Sequence, residues 1–177
     1  MLSIMRIITY PNPILSQVAS PCVVGDPSLR KLAKGMADLM YRANGVGIAA
    51  PQVGVSKRLI VVDCDLESEE QNPIVLVNPE IILTKGEEEI DDEGCLSVPG
   101  ISVPIKRKPW VKVNYFDLDG RLQTIESDGL LGRCLQHEID HLNGVTLIES
   151  SDPQDKEETL ARYEEALKNH AKPGDVG

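Results

Sequence analysis

Aromatic side chains are nearly missing from this sequence. Its 177 residues hold one Trp, one Phe and four Tyr, so a core must be built mainly from Ile, Leu and Val. No apolar run approaches the roughly 20 residues of a membrane-spanning helix, and no membrane partner is expected. Positive charge is also short. At a formal net charge of −10, a general nucleic-acid or anionic-lipid surface is not expected. The one basic run, Lys106-Arg107-Lys108, reads as a solvated strand edge blunted by charge. The four cysteines, Cys22, Cys64, Cys95 and Cys134, include no C-x-x-C pair. The opening MLSIMRIITYPNP has neither the charged start nor the apolar run of an export signal, so a cytoplasmic protein with reduced thiols is expected.

What is present suits one globular domain, with 41% hydrophobic residues in a chain long enough to bury a core without disulfides. Asp26-Pro27 reads as a helix start, and Leu29, Leu32, Ala33, Met36, Leu39 and Met40 follow at helical spacing up to a stop at Asn44-Gly45. The next stretch, GVGIAAPQVG, looks too rich in glycine to be regular. Residues 58–64 and 74–83 read as strands, and the acidic 85–94 as a hairpin turn with its flanks. Asp119-Gly120 is a turn signal between strands 111–116 and 122–125. Ser127-Asp128 can cap a second helix whose buried side is Leu130, Leu131, Cys134, Leu135, Ile139 and Leu142. A charged third helix reaches about His170, and the last residues, AKPGDVG, are expected to be loose. The order of elements points to an α+β fold, with a main unit over 1–150 and a charged helix and tail over 151–177.

The second helix carries QHEIDH. Residues four apart share a helix face, so His137 and His141 can put two imidazoles on one metal ion. Glu138, one step round, can reach a water at an open metal position as general base. A downstream third histidine is excluded, because Leu147 stands where one would be needed. Glu157, Glu158, Glu164 and Glu165 remain open as ligands on spacing alone. Cys95, in EGCLSVPG, is the better candidate: a thiol beside a divalent cation is deprotonated by it. One Cys and two His leave a fourth position for water, the layout of a catalytic site. Cys134 and Cys64 read instead as small buried hydrophobes.

Three motifs stand in order: GVGIAAPQ (residues 45–52), EGCLS (93–97) and QHEIDHLNG (136–144). Together they resemble peptide deformylase, the enzyme that removes the formyl group from the N-terminal methionine of new bacterial polypeptides and releases formate. The opening IITYPNPIL resembles the family's start, and the likeness runs over about residues 5–148. It implies antiparallel β-sheets around the central helix bearing HExxH, with a C-terminal helix beyond. It implies Cys95, His137 and His141 as metal ligands and Glu138 as acid/base. Gln52 and the backbone N–H of Leu96 become the donors to the developing oxyanion. Gly45, Val46, Gly47, Leu130 and Cys134 match positions that take the substrate, as does His137. The implied cofactor is one divalent ion, Fe2+ in the cell, with Zn2+, Ni2+ or Co2+ able to replace it. Gln136 and Asp140 are expected to orient the helix through hydrogen bonds. The implied partner is an N-formylmethionyl peptide. Some relatives dock on the ribosome through a basic C-terminal helix, but acids are interspersed through DKEETLARYEEALKNHAK here. The chain also has Ser102 where many relatives carry a peptide-binding arginine. Two other readings compete: an HExxH endopeptidase with a glutamate ligand, and a metal-binding module without turnover.

Overall fold

The computed structural model describes residues 4–177; the first three residues of the opening run read above lie outside them. Helix α1 spans Ser28–Arg42, and the Asp26 carboxylate accepts the Ser28 N–H at 2.9 Å, so the cap falls where the sequence puts it. At its far end Asn44, at φ 54°, takes the left-handed residue, and Gly45 donates back to the Met40 carbonyl at 2.8 Å. That pairing closes the helix as a Schellman turn.

The glycine-rich stretch is more regular than expected. It forms a short strand, β1 (Gly47–Ala49), then a 3-10 turn over Ala50–Val53. Strand β1 pairs antiparallel with β2 (Leu59–Val62), which supplies the partner that the local sequence could not reveal. β3 (Ile74–Lys85) pairs next to β2. The acidic stretch after it is not a hairpin with β3. It becomes β4 (Glu89–Cys95), which pairs with β5 (Val98–Arg107) in a separate two-stranded sheet. β6 (Trp110–Phe116) returns to β3, and β7 (Leu122–Ser127) completes the hairpin across Asp119-Gly120. The main sheet therefore runs β1-β2-β3-β6-β7, antiparallel throughout.

β2 explains how the sheet is covered. Its four residues, Leu-Ile-Val-Val, are all fully buried. Alternate side chains leave a strand on opposite faces. Leu59 and Val61 meet Leu29, Met36 and Met40 of α1. Ile60 and Val62 meet Leu135, Ile139 and Leu142 of α2 (Gly129–Leu142). The histidine-bearing helix thus lies against the sheet face opposite α1. A third apolar cluster joins Val98, Val103 and Ile105 of β5 to Leu147 and Ile148 of a short helix, α3 (Leu147–Ser150), and to Tyr163 of α4 (Lys156–Lys168). The α+β class is as expected, with antiparallel sheets and the HExxH helix between them.

Three local expectations fail. Leu130 is 43% exposed rather than buried, because it stands at the mouth of a cavity. Asp128 occupies the N-cap of α2, but its side chain makes no capping hydrogen bond. Residues 172–177 are not loose: Gly100 N–H donates to the Asp175 carbonyl at 3.0 Å, and Lys172 N–H to the Asp175 carboxylate at 2.7 Å. No described helix is long and apolar enough to cross a membrane.

Because Leu135 is fully buried between α2 and the sheet, Leu135→Ala should cost about 2–5 kcal/mol in a urea titration. Leu122→Ala on the exposed hairpin should stay within about 0.5 kcal/mol of the parent.

Candidate metal centre and active site

Cys95 ends β4, while His137 and His141 stand one turn apart on α2. The fold brings the three together: their ligand atoms lie within 4.8 Å of one another, and Cys95 Sγ is 3.3 Å from His141 Nε2. Among the described residues this is the group of side chains arranged to hold a metal ion. The four alternative glutamates of α4 are exposed and take no part in it.

Each histidine is held by burial and by what it faces. His137 Nδ1–H donates to Glu93 at 2.9 Å, which fixes its tautomer and leaves Nε2 for the cluster. Burial lowers the His141 pKa well below the ordinary value, so its ring is neutral and has a lone pair to offer. Burial also works against a charged His137, but hydrogen bonds to Cys95 and Glu93 outweigh it and raise its pKa. The thiol and imidazole compete for a proton at the place where a cation would sit. Glu138 is buried beside them, with Oε2 lacking any hydrogen-bond partner. Burial pushes its pKa up to about 7, partly opposed by His137 and Arg107. A thiol and two imidazoles form a donor set that fits a divalent cation with one open position, with an unpaired carboxylate oxygen beside it.

Gln52 approaches from the other side. It is fully buried in the 3-10 turn, with its amide oriented at both ends. Its Oε1 accepts the Ala49 N–H at 2.8 Å, and Nε2 donates to Ser97 Oγ at 3.1 Å and Cys95 Sγ at 3.6 Å. Ser97 in turn donates to the Ile8 carbonyl at 2.7 Å, so the opening segment braces this side of the site.

A cavity of about 500 Å³ opens onto the cluster. Gly45, Val46, Gly47, Leu96, Leu130 and Cys134 line it, as do Cys95, His137 and Glu138. Gln52 and His141 adjoin it through Cys95, which both contact. Gly47 permits a close approach of β1 to α2: a Cβ there would stand 2.6 Å from Cys134 Sγ and 2.7 Å from Glu138 Oε1.

A polar network behind the Cys/His/His cluster was not expected. Arg107 reads from sequence as part of a solvated edge, yet it is buried and donates to both Glu93 oxygens at 2.6 and 2.9 Å. Its third bond, 2.9 Å to Asp140, ties it to α2. Arg133 adds 2.7 Å to Glu93, together with bonds to the Ile105 and Glu89 carbonyls. Burial would raise the Glu93 pKa, but His137 and Arg107 overcome it and bring it down to about 2. One available signal was Arg133, a charge inside an otherwise apolar stretch of helix. Gln136 and Asp140 do orient α2, through Lys108 O at 3.0 Å and through Arg107.

The polypeptide deformylase family model matches residues 4–157, most of the chain. The chain belongs to this family. The peptide deformylase of Rhizobium meliloti (strain 1021) is 41% identical over 167 residues, 94% of this chain and 96% of that protein. That of Thermodesulfovibrio yellowstonii is 47% identical over 156 residues, 88% and 94%. Among solved structures, the Legionella pneumophila peptide deformylase superposes with TM-score 0.86 at 39% identity, covering 95% of this chain and 98% of that one. The Synechococcus elongatus peptide deformylase, in complex with actinonin, gives 0.83 at 41%, covering 94% and 87%. Deformylase membership and the Cys/His/His cluster together imply a divalent metal.

Removing Arg107 leaves the buried Glu93 with fewer counter-charges. Arg107→Met should lower stability by about 3 kcal/mol in urea. The same variant should weaken metal binding about 10-fold or more, read by competition with a chelator, because His137 loses its fixed orientation.

Proposed function

We propose that this deformylase holds its divalent ion with Cys95, His137 and His141, and that Glu138 moves the proton. The reaction is metal-dependent hydrolysis of the formyl group from the N-terminal formylmethionine of new polypeptides, releasing formate. The observation that carries the residue roles is the convergence of one thiol, two imidazoles and a partnerless buried carboxylate oxygen at the end of an apolar-lined cavity. When bound, the ion polarises the formyl carbonyl and acidifies water.

The chain's own groups do the rest. Glu138, with a pKa pushed up to about 7, can accept a proton from water and pass it to the departing amine. Gln52 Nε2, held beside Cys95, and the Leu96 N–H donate to the oxygen on which negative charge develops. The formyl group cancels the amino-terminal charge, so a neutral methionine side chain suits the space between Val46, Leu130 and Cys134. Gly45 and Gly47 leave room for the substrate backbone and for Glu138. An endopeptidase with a glutamate ligand loses its basis, since α4's acids are exposed and away from the cluster.

We assign Fe2+ as the ion in the cell on the family resemblance; the donor set also accepts Zn2+, Ni2+ and Co2+. The cytoplasm is the proposed location, which agrees with the four cysteines being free thiols. Ribosome docking is not part of the proposal, because α4 alternates Lys156, Arg162 and Lys168 with Glu157, Glu158, Glu164 and Glu165.

Purified without oxygen and loaded with Fe2+ or Ni2+, the protein should release formate from formyl-Met-Ala-Ser. Cys95→Ala should lose both the metal and the release; activity persisting in that variant would sink the ligand assignment. Glu138→Ala should keep the metal and slow release by about 10²- to 10⁴-fold. Gly47→Ala should displace the Glu138 carboxylate and lower kcat while metal content stays at one ion per chain.

A further inference from the structure

Residues 174–176 line the same cavity as the catalytic groups, although they lie more than thirty residues beyond His141 in the chain. They bridge its two sides. On one side Gly174, at φ +100°, packs so tightly on Ala43 that a Cβ there would run into the Ala43 carbonyl oxygen. On the other, the Asp175 carbonyl accepts the Gly100 N–H at 3.0 Å, and Gly177 lies against Gly100, Ile101 and Ser102. The segment is also closed on itself: Asp175 N–H donates to the Lys172 carbonyl at 2.9 Å, and its carboxylate accepts the Lys172 N–H. Val176 Cγ1 lies 4.0 Å from where a Cβ on Gly94 would stand. Gly94 stands at the register break between the pairs Glu93↔Val103 and Cys95↔Val98, where β5 carries the extra residues.

We propose that residues 174–176 are the end wall of the peptide groove and determine how much chain beyond the formylmethionine this enzyme accepts. The proposal rests on the deformylase reading above. Gly45, Val46 and Gly94 line the cavity beside the cluster, and the segment that bridges Ala43 and Gly94 lines it with them, so a peptide occupying the cavity meets that segment. An extended chain advances about 3.3–3.6 Å per residue, so a six-residue peptide reaches about 13–14 Å further along the cavity than formyl-Met-Ala and is the one obstructed more by the segment. Long substrates therefore have to displace the segment. What opposes that is the packing of Gly174 on Ala43 and of Gly177 on Gly100, with one hydrogen bond from Gly100, while Val176 itself is 77% exposed. The segment acts on specificity and KM, with no part in the chemical step.

Two variants test it in the nickel-loaded protein: the chain stopped after Pro173, and Gly174→Ala, which dislodges the wall without shortening it. Formate release is followed from formyl-Met-Ala and from a six-residue formyl-Met peptide. In both variants the KM of the long peptide should fall about tenfold with kcat unchanged, while formyl-Met-Ala stays within about twofold. Calorimetry on the metal-free proteins with an acetyl-Met hexapeptide should show the same tightening without turnover. An unchanged or lower preference for the long peptide in both variants, with formyl-Met-Ala still turned over, overturns the wall and leaves the deformylase reading intact. Absence of formate from every peptide in the metal-loaded parent overturns that reading, and the wall with it.

Discussion

The Glu93 carboxylate is almost entirely shielded from water, and the rest of the site is hung on it. An ion in that position is tolerable only when its lone pairs are filled by charged donors. Arg107 fills them from β5, Arg133 from α2, and His137 takes one more through Nδ1–H. The bonds from Arg133 and His137 also join parts of the molecule that share little else. β4 belongs to the two-stranded sheet and α2 packs on the five-stranded one, yet the Cys/His/His cluster draws on both. Cys95 lies two residues beyond Glu93, so the network that neutralises Glu93 also sets the distance between the thiol and the imidazoles. The electrostatic constraint and the ligand geometry are one constraint.

Packing supplies the other half. β2 is short enough to be buried completely, with one pair of side chains for α1 and the other for α2. A helix held against a fully buried strand has little freedom to roll or slide. This rigidity suits a site in which Glu138 must stay unpaired, desolvated and within reach of a reacting water. Gly47 belongs to the same arrangement: the absence of a side chain on β1 lets the Glu138 carboxylate stand where it does.

Much of this was legible before any coordinates. The apolar period of α1, the turn at Asp119-Gly120 and the i, i+4 histidines are local patterns, and local patterns survive folding when the packing agrees with them. The readings that failed were those of residues whose state depends on a distant partner. Arg107 looks like a surface charge because nothing nearby in sequence announces Glu93 and Asp140. The acidic stretch before Cys95 looks like a turn because its strand partner, β5, follows only afterwards and in another sheet. Leu130 looks buried because its helix is apolar, yet it faces an open cavity.

The sequence by itself determined the class of fold, the chemistry of the ligand set and the family, since residue type, spacing and motif order are properties of the chain alone. The tertiary structure decided which carboxylates are ions and which await a proton, which charge is buried, and what walls the cavity. Those outcomes follow from desolvation and from distances between segments. Burial raises Glu138 to about 7, while His137 from α2 and Arg107 from β5 take Glu93, also buried, to about 2. Two glutamates of identical chemistry part company because only Glu93 is directly hydrogen-bonded by guanidinium and imidazole groups that the fold brings to it.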